Sequence, residues 1–300
     1  TGTNYMINML RLKQFGIRLT WHDIKILPHM KPIFIMLGTT VAIELYTMLD
    51  TTMLGVLCDE SSVGYYTNAM KVVKIIITVI TAIGGTLLPH LSQYHMEGDD
   101  EACGRIVSRV FEIMLFLFLP CCVGLMLTAD DLMVVMFGES FAPAGVTLRI
   151  AALLTLALGF SNLFGTQVLL TFGEEKKLLF CTIVGAVSNV CLNFFLIPEF
   201  SQNGAAAASV ISEALVTVCC VCFSRKHIQV RLRDGYLVKT VTAAAFMSIL
   251  TWFVMRLVNG ELLQLAAAVV TGVISYFALC IVLRNPVCME YKQILLRREK

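Results

Sequence analysis

The chain has 300 residues, of which 57% are hydrophobic and only 15% are charged, and its formal net charge is +2. Soluble domains carry about 25% charged residues, so this composition excludes an ordinary soluble domain. A mean hydropathy of +0.79 indicates a polytopic, all-α membrane protein, because helices satisfy every backbone hydrogen bond inside a bilayer. The small net charge argues against a nucleic-acid partner.

The first 31 residues alternate basic and apolar positions before Pro32. Such alternation favours an amphipathic segment that lies on the cytoplasmic surface of the membrane. The chain begins at Thr1, without an initiator methionine or a signal peptide. We therefore expect it to be part of a longer protein.

Eight apolar runs follow, and each approaches the roughly 20 residues that a helix needs to cross a bilayer. They cover residues 33–57, 68–91, 111–128, 146–170, 178–197, 206–223, 238–257 and 262–283. Lysine and arginine in short connections stay on the cytoplasmic side, and here they occur in alternate connections. The sequence therefore predicts eight transmembrane helices in the cytoplasmic membrane, with both ends of the chain cytoplasmic.

The first two predicted helices carry four charged residues, Glu44, Asp50, Lys71 and Lys74. Each such charge costs at least about 2.5–3.5 kcal/mol on insertion scales, so it usually faces a bundle interior or a watery cavity. Asp50 and Lys74 fall at similar depths at about 1.5 Å of rise per residue, which allows an ion pair between them. A structural pair and a substrate-facing role both stay open for these two residues.

Glu44 differs from the other three because it falls near the bilayer midplane, with no basic residue at a matching height. A lone carboxylate at this depth is expected to bind a proton or a sodium ion. Glu213, in the sixth apolar run, is the second candidate for this ion-coupling role.

Further candidate positions are the charged Arg149 and the uncharged Asn162 in the fourth run, and Asn189 and Asn193 in the fifth. Asn189 and Asn193 share one helix face, since they are four residues apart. These side chains are candidate substrate contacts. The alternatives are that the asparagines only join neighbouring helices and that Arg149, like Lys71, extends to the membrane interface.

No catalytic constellation appears in the sequence. The five histidines lack HExxH spacing, and neither a GxSxG setting nor a phosphate-binding GxxxxGK[ST] loop is present. Most of the 11 cysteines lie inside or beside apolar runs, where they serve as small packing residues instead of metal ligands. We therefore expect a transporter without a catalytic site, a metal or another cofactor.

Two stretches carry recognisable motifs. The first reads LYTMLDTTMLG at 45–55, VGYYTNAMK at 63–71 and LLPHLS at 87–92. The second reads GAVSNV at 185–190, LN at 192–193, LIP at 196–198 and GAAAA at 204–208, and it continues to Glu213. These motifs resemble those of Wzx-type polysaccharide flippases, which belong to the multidrug, oligosaccharidyl-lipid and polysaccharide exporter superfamily. The resemblance covers residues 27–283.

The resemblance implies a protein with two six-helix lobes and two further helices. By this comparison the chain supplies an amphipathic inter-lobe segment (1–31), the second six-helix lobe (32–225), two additional helices (226–284) and a basic cytoplasmic tail (285–300). The first lobe is expected to be missing from it.

The same resemblance implies that the parent protein flips a polyprenyl-pyrophosphate-linked oligosaccharide to the outer leaflet for polysaccharide biosynthesis. Lys71, Lys74 and Arg149 would hold the pyrophosphate, Asp50 would tune the lysines, and the asparagines would bind sugars. Expected partners are membrane lipids, H⁺ or Na⁺, the missing N-terminal lobe, a polysaccharide polymerase and glycosyltransferases. The alternatives are a cation-coupled multidrug and toxin exporter, a lipid II flippase, and a helical scaffold that holds glycosyltransferases at the membrane.

Overall fold

The computed structural model describes residues 27–85 and 87–290, and these residues form helices without a strand. The prediction of an all-α fold is confirmed. Most of the predicted amphipathic segment, together with the basic tail beyond residue 290, lies outside the described residues.

The helices follow one another with short connections. They are α1 (Leu27–Leu57), α2 (Glu60–Gly85), α3 (Leu87–Glu97), α4 (Asp100–Phe137), α5 (Ala144–Ala151), α6 (Leu154–Ser161), α7 (Glu175–Ser224), α8 (Tyr236–Leu257) and α9 (Glu261–Val282). A short 3-10 helix, Glu139–Phe141, precedes α5, and the π-helical segment Asn162–Leu169 continues α6.

Seven helical spans within the described residues are long and apolar enough to cross a membrane. One of them, α7, has 50 residues and is about 75 Å long at 1.5 Å per residue, far more than the roughly 30 Å of a hydrocarbon core. It is broken at Ser201, where φ is 49°, into a first arm (175–200) and a second arm (202–224). Counting the arms separately gives eight apolar helical spans within the described residues, but the second of them, Glu60–Ala82, begins and ends earlier than the predicted run at 68–91.

The break in α7 follows from two residues of the second sequence motif. Pro198 lies three residues before Ser201, and proline weakens a helix because it lacks a backbone N–H. Gly204 then lets the second arm approach the first, since a Cβ atom there would lie 2.2 Å from the carbonyl oxygen of Leu196. Only glycine fits that approach, so the motif encodes the turn between the arms.

Helix α4 is 38 residues long and contributes buried residues to all three hydrophobic clusters of the described residues. The side chain of Asp99 caps its start by accepting a hydrogen bond from the backbone N–H of Ala102 at 2.8 Å, and Asp100 and Glu101 add negative charge to the first turn, which the helix dipole favours. The helix ends at Gly138, where φ is 94°.

Three hydrophobic clusters surround α4. The first joins it to α1, α2, α5 and α7, the second to α3, the π-helical segment and α7, and the third to α8 and α9. In the third cluster the hydroxyl of Tyr276 in α9 donates to the carbonyl oxygen of Phe116 at 2.8 Å. Helices α8 and α9 therefore attach to the rest of the bundle through α4. The division into a six-helix lobe and two additional helices stays a prediction.

Helix α1 packs mainly against α7. Only 12% of its apolar span is buried, the lowest share among the seven spans. Most of α1 is therefore free to contact lipid or another part of the protein.

Candidate functional site

A buried polar cluster forms where α1, α2 and both arms of α7 meet. At its centre is Asp50 of α1, which is 2% exposed. Its Oδ2 atom accepts hydrogen bonds from the hydroxyls of Tyr66 at 2.6 Å and Ser209 at 2.8 Å, and its Oδ1 accepts one from Nδ2 of Asn193 at 2.5 Å. The same Nδ2 donates to Oδ1 of Asn189 at 3.1 Å. We call these five residues the Asp50 cluster.

Two polar atoms of the Asp50 cluster, Oδ1 of Asn193 and Nδ2 of Asn189, are buried without a hydrogen-bond partner. No lysine or arginine of the described residues pairs with Asp50, whose contacts are the three neutral donors. An ionised carboxylate buried without a cation is costly, so this position favours uptake of a proton or a cation. Carboxylate, amide and hydroxyl oxygens are hard ligands that suit ions such as Na⁺.

Lys71 and Lys74 lie on the exposed face of α2. Positions 71, 74, 75, 78, 79 and 82 are all exposed, and their spacing of three and four residues places them on one side of the helix. The Nζ atom of Lys71 donates to Oδ1 of Asn68 at 3.1 Å. The opposite side of α2 is buried and carries Tyr66, which contacts Asp50. Helix α2 thus presents cations outward and a hydroxyl group inward.

The expected ion pair between Asp50 and Lys74 does not form within the described residues. Similar depth brings two residues together only if the helices also turn the right faces toward each other. Here α2 turns Tyr66 toward α1, and the Asp50 oxygens are occupied by Tyr66, Asn193 and Ser209. The expected ion pair is therefore wrong within the described residues, because Asp50 belongs to a separate, buried cluster. An influence of Asp50 on the two lysines without direct contact stays a prediction.

Arg149 connects α5 to α4. Its Nη2 atom lies 2.6 Å from Oδ2 of Asp130, and its Nε donates to the carbonyl oxygen of Met126 at 3.2 Å. Gly145 makes this close approach feasible, because a Cβ atom there would lie 2.1 Å from Oδ1 of Asp130. The guanidinium group is thus engaged by α4, and a role for Arg149 in binding substrate stays a prediction.

The two candidate ion-coupling carboxylates lie in different environments. Glu44 is exposed on α1, whereas Glu213 is buried in the second arm of α7, where it accepts a hydrogen bond from the hydroxyl of Ser161. Asn162 follows Ser161 and begins the π-helical segment, and its Oδ1 accepts a bond from Gln167 at 3.4 Å. Short π-helical segments often mark functional sites, but the ion-coupling role of both glutamates stays a prediction.

Sequence reasoning missed Tyr66 and Ser209 as members of the site. Tyr66 lies in the VGYYTNAMK motif and Ser209 follows the GAAAA motif directly, so the motifs themselves were the available signal. Neither residue carries a charge, so in the sequence each resembles the uncharged polar residues that commonly join membrane helices.

Curated relatives match the chain over most of its length. The "Probable low-salt glycan biosynthesis flippase Agl15" of Haloferax volcanii is 24% identical and the match covers 77% of this chain and 49% of the relative. The "Putative O-antigen transporter" of Escherichia coli K12 is 25% identical and the match covers 63% of this chain and 45% of the relative. The chain therefore spans about half the length of the curated relatives that it matches.

A solved structure, "Lipid II flippase MurJ, inward closed conformation", shares the fold with a TM-score of 0.70 at 17% identity, over 90% of this chain and 57% of that one. The family described as "Lipid II flippase MurJ" matches residues 4–272. The predicted resemblance to flippases of lipid-linked oligosaccharides is confirmed by these matches together. The chain belongs to the family of the lipid II flippase MurJ.

Proposed function

We propose that the protein containing this chain moves a polyprenyl-pyrophosphate-linked oligosaccharide from the cytoplasmic to the outer leaflet of the cytoplasmic membrane. Family membership supports a flippase, and relatives named for glycan biosynthesis and O-antigen transport support a lipid-linked glycan as cargo. A first lobe outside this chain supplies the other wall of the transport cavity. The basic connections keep both ends of this segment cytoplasmic. Glycosyltransferases make the cargo on that side of the membrane, and a polymerase later uses it.

The observation that carries this proposal is the exposure of Lys71 and Lys74 on a spanning helix. Two lysines facing acyl chains would be costly, whereas an aqueous cavity between two lobes removes that cost. The neighbouring α1 also leaves most of its surface uncovered, as expected for a helix that faces a second lobe. In such a cavity the two ammonium groups attract a pyrophosphate more strongly than they would in bulk water.

Replacing both lysines, Lys71→Gln and Lys74→Gln, in the full-length protein tests this assignment. Glycan export in a complementation assay should be lost, while the abundance of the protein in the membrane stays normal. Lys176→Gln is the matched control, because Lys176 is exposed in the first turn of α7, outside the face formed by the two lysines. Retained export in the double variant would remove the lysines from the mechanism.

The Asp50 cluster is the place where the described residues best support coupling to H⁺ or Na⁺. It joins α1, α2 and both arms of α7, so a bound cation would hold these elements together. The unpartnered Oδ1 of Asn193 supplies an acceptor beside the carboxylate, and the hydroxyl oxygen of Ser209 supplies another. Loss of the cation would leave Asp50 charged and unpaired, which favours a different arrangement of the helices.

Asp50→Asn tests the coupling role. In proteoliposomes, this variant of the full-length protein should no longer respond to an imposed Na⁺ or pH gradient, and the wild type shows which of the two ions drives transport. Glu44→Gln and Glu213→Gln are compared in parallel. If one of these variants loses the response while Asp50→Asn keeps it, the coupling site lies at that glutamate.

Lipid II is the second candidate cargo, because the matching family carries its name. Both cargoes present a polyprenyl pyrophosphate, so the lysine face serves either one. Depletion of the protein distinguishes them: a general block of wall synthesis indicates lipid II, and loss of one dispensable polymer indicates an oligosaccharide repeat unit.

A further inference from the structure

A polar cleft of about 590 Å³ lies where the first turns of α4 meet the connection between α7 and α8. Four arginines line it, Arg105 and Arg109 from α4 and Arg231 and Arg233 from the connection, together with three acidic residues of α4. None of the residues of the Asp50 cluster or of the lysine face lines this cleft. The cleft is therefore a second polar site with its own chemistry.

Two of the four arginines are committed to internal ion pairs. Arg233 holds the buried carboxylate of Glu112, with Nε 2.7 Å from Oε2 and its backbone N–H 2.8 Å from Oε1. Glu290 forms salt bridges with Arg109 and, at 3.5 Å, with Nη1 of Arg233. These contacts join α4 to the start of α8 and to the segment after α9, so Arg109 and Arg233 form a rigid base for the cleft.

The other two arginines are available to a ligand. Within the described part of the chain, no carboxylate lies within salt-bridge distance of Arg231, whose side chain is exposed while its backbone N–H donates to Oγ of Ser108 at 2.9 Å. Arg105 contacts Glu101 at 3.3 Å and Asp99 at 3.9 Å, but its side chain is 67% exposed. Exposed ion pairs contribute little, so a better anion can displace them.

The position of the cleft along α4 places it at the membrane surface. The helix is 38 residues long, about 57 Å at 1.5 Å per residue, whereas the hydrocarbon core is roughly 30 Å thick. Its apolar run begins at Phe111, and Arg105 and Ser108 precede that residue by one to two turns. The cleft therefore opens at the level of the lipid headgroups.

We propose that this cleft binds the phosphate group of a phospholipid headgroup, with Arg105 and Arg231 as its two principal ligands. A guanidinium group matches a phosphate with two parallel hydrogen bonds, and here one such group comes from α4 and the other from the α7–α8 connection. Basic pockets between transmembrane helices on the cytoplasmic side are suited to lipid headgroups. A bound lipid would bridge α4 and the α7–α8 connection.

Native mass spectrometry and thermal-shift measurements on the intact protein in detergent test the proposal. The probe is phosphatidylglycerol, compared with a galactosyl diacylglycerol that has the same acyl chains but no phosphate. Phosphatidylglycerol should bind and raise the melting temperature, and Arg105→Gln and Arg231→Gln should each weaken its binding about tenfold, the loss typical of a hydrogen bond to a charged group. Arg225→Gln is the matched control, because Arg225 is exposed at the end of α7 and does not line the cleft.

Equal binding of the two lipids to the wild-type protein would overturn the proposal. This comparison uses only the wild-type protein, so it does not depend on whether a variant folds. Inorganic phosphate is added in a separate arm. If it competes with phosphatidylglycerol at equal concentration, the cleft is a site for free anions and the assignment to lipid is wrong. The assay measures binding alone, so its outcome is independent of whether the protein transports a glycan.

Discussion

Replacing Gly204 by alanine should destabilise the protein by forcing the two arms of α7 apart. The added Cβ atom would lie 2.2 Å from the carbonyl oxygen of Leu196 and 2.5 Å from its carbonyl carbon. These are backbone atoms, so no side-chain rotation relieves the overlap. Overpacking lowers the free energy of unfolding by about 1–3 kcal/mol. We expect a value near the upper end here, because backbone atoms cannot move aside as a side chain can. At roughly 2–4 °C per kcal/mol, the melting temperature should fall by about 6–12 °C.

Thermal unfolding of the purified protein, followed by the exposure of buried thiols to a reactive dye, measures this change. Cys181 and Cys220 are both fully buried, one on each arm of α7, and report directly on the separation of the arms. Gly124→Ala is the matched control, since a Cβ atom at Gly124 meets nothing within 4 Å and alanine favours a helix by about 1 kcal/mol over glycine. Equal melting temperatures for the two variants would refute the close-approach argument.

Three further predictions concern single residues. Ser201→Gly should raise the melting temperature, because its φ of 49° is strained for serine by about 1–3 kcal/mol; an unchanged or lower value contradicts this. Tyr66→Phe removes a hydrogen bond to Asp50 and should cost about 1.5–3 kcal/mol, seen as a lower melting temperature without loss of helix in circular dichroism. Lys177 lowers the pKa of Glu174 below its ordinary 4.5, so Glu174 stabilises the protein above that pH and loses this effect as the pH falls through its native pKa. The melting temperatures of wild type and Glu174→Gln should therefore converge on acidification, and a constant difference would contradict the assignment.

The LIP and GAAAA motifs show how sequence and structure combine in this protein. Pro198 and Gly204 were recognisable as part of a family pattern, and the structure gives them a physical role as the turn between the arms of α7. That turn places Asn193 before it and Ser209 after it on the same carboxylate of Asp50. The motif therefore builds the Asp50 cluster as well as the turn.

The sequence by itself determined the number and approximate limits of the apolar segments and the presence of charges within them. Length, hydrophobicity and charge are local properties, and they decide whether a segment suits a bilayer before any helix meets another. The break near Pro198 was also predictable, because proline and glycine act on the backbone where they stand.

Only the tertiary structure decided which polar side chains meet. Depth along a helix can be counted from the sequence, but the rotation of each helix about its axis depends on how all its neighbours pack. That rotation turned Lys74 outward and Tyr66 toward Asp50, so hydrogen bonds from uncharged donors take the place of the expected ion pair. The partners of Asp50 come from 16, 143 and 159 residues away, and only packing brings such distant positions within hydrogen-bond distance.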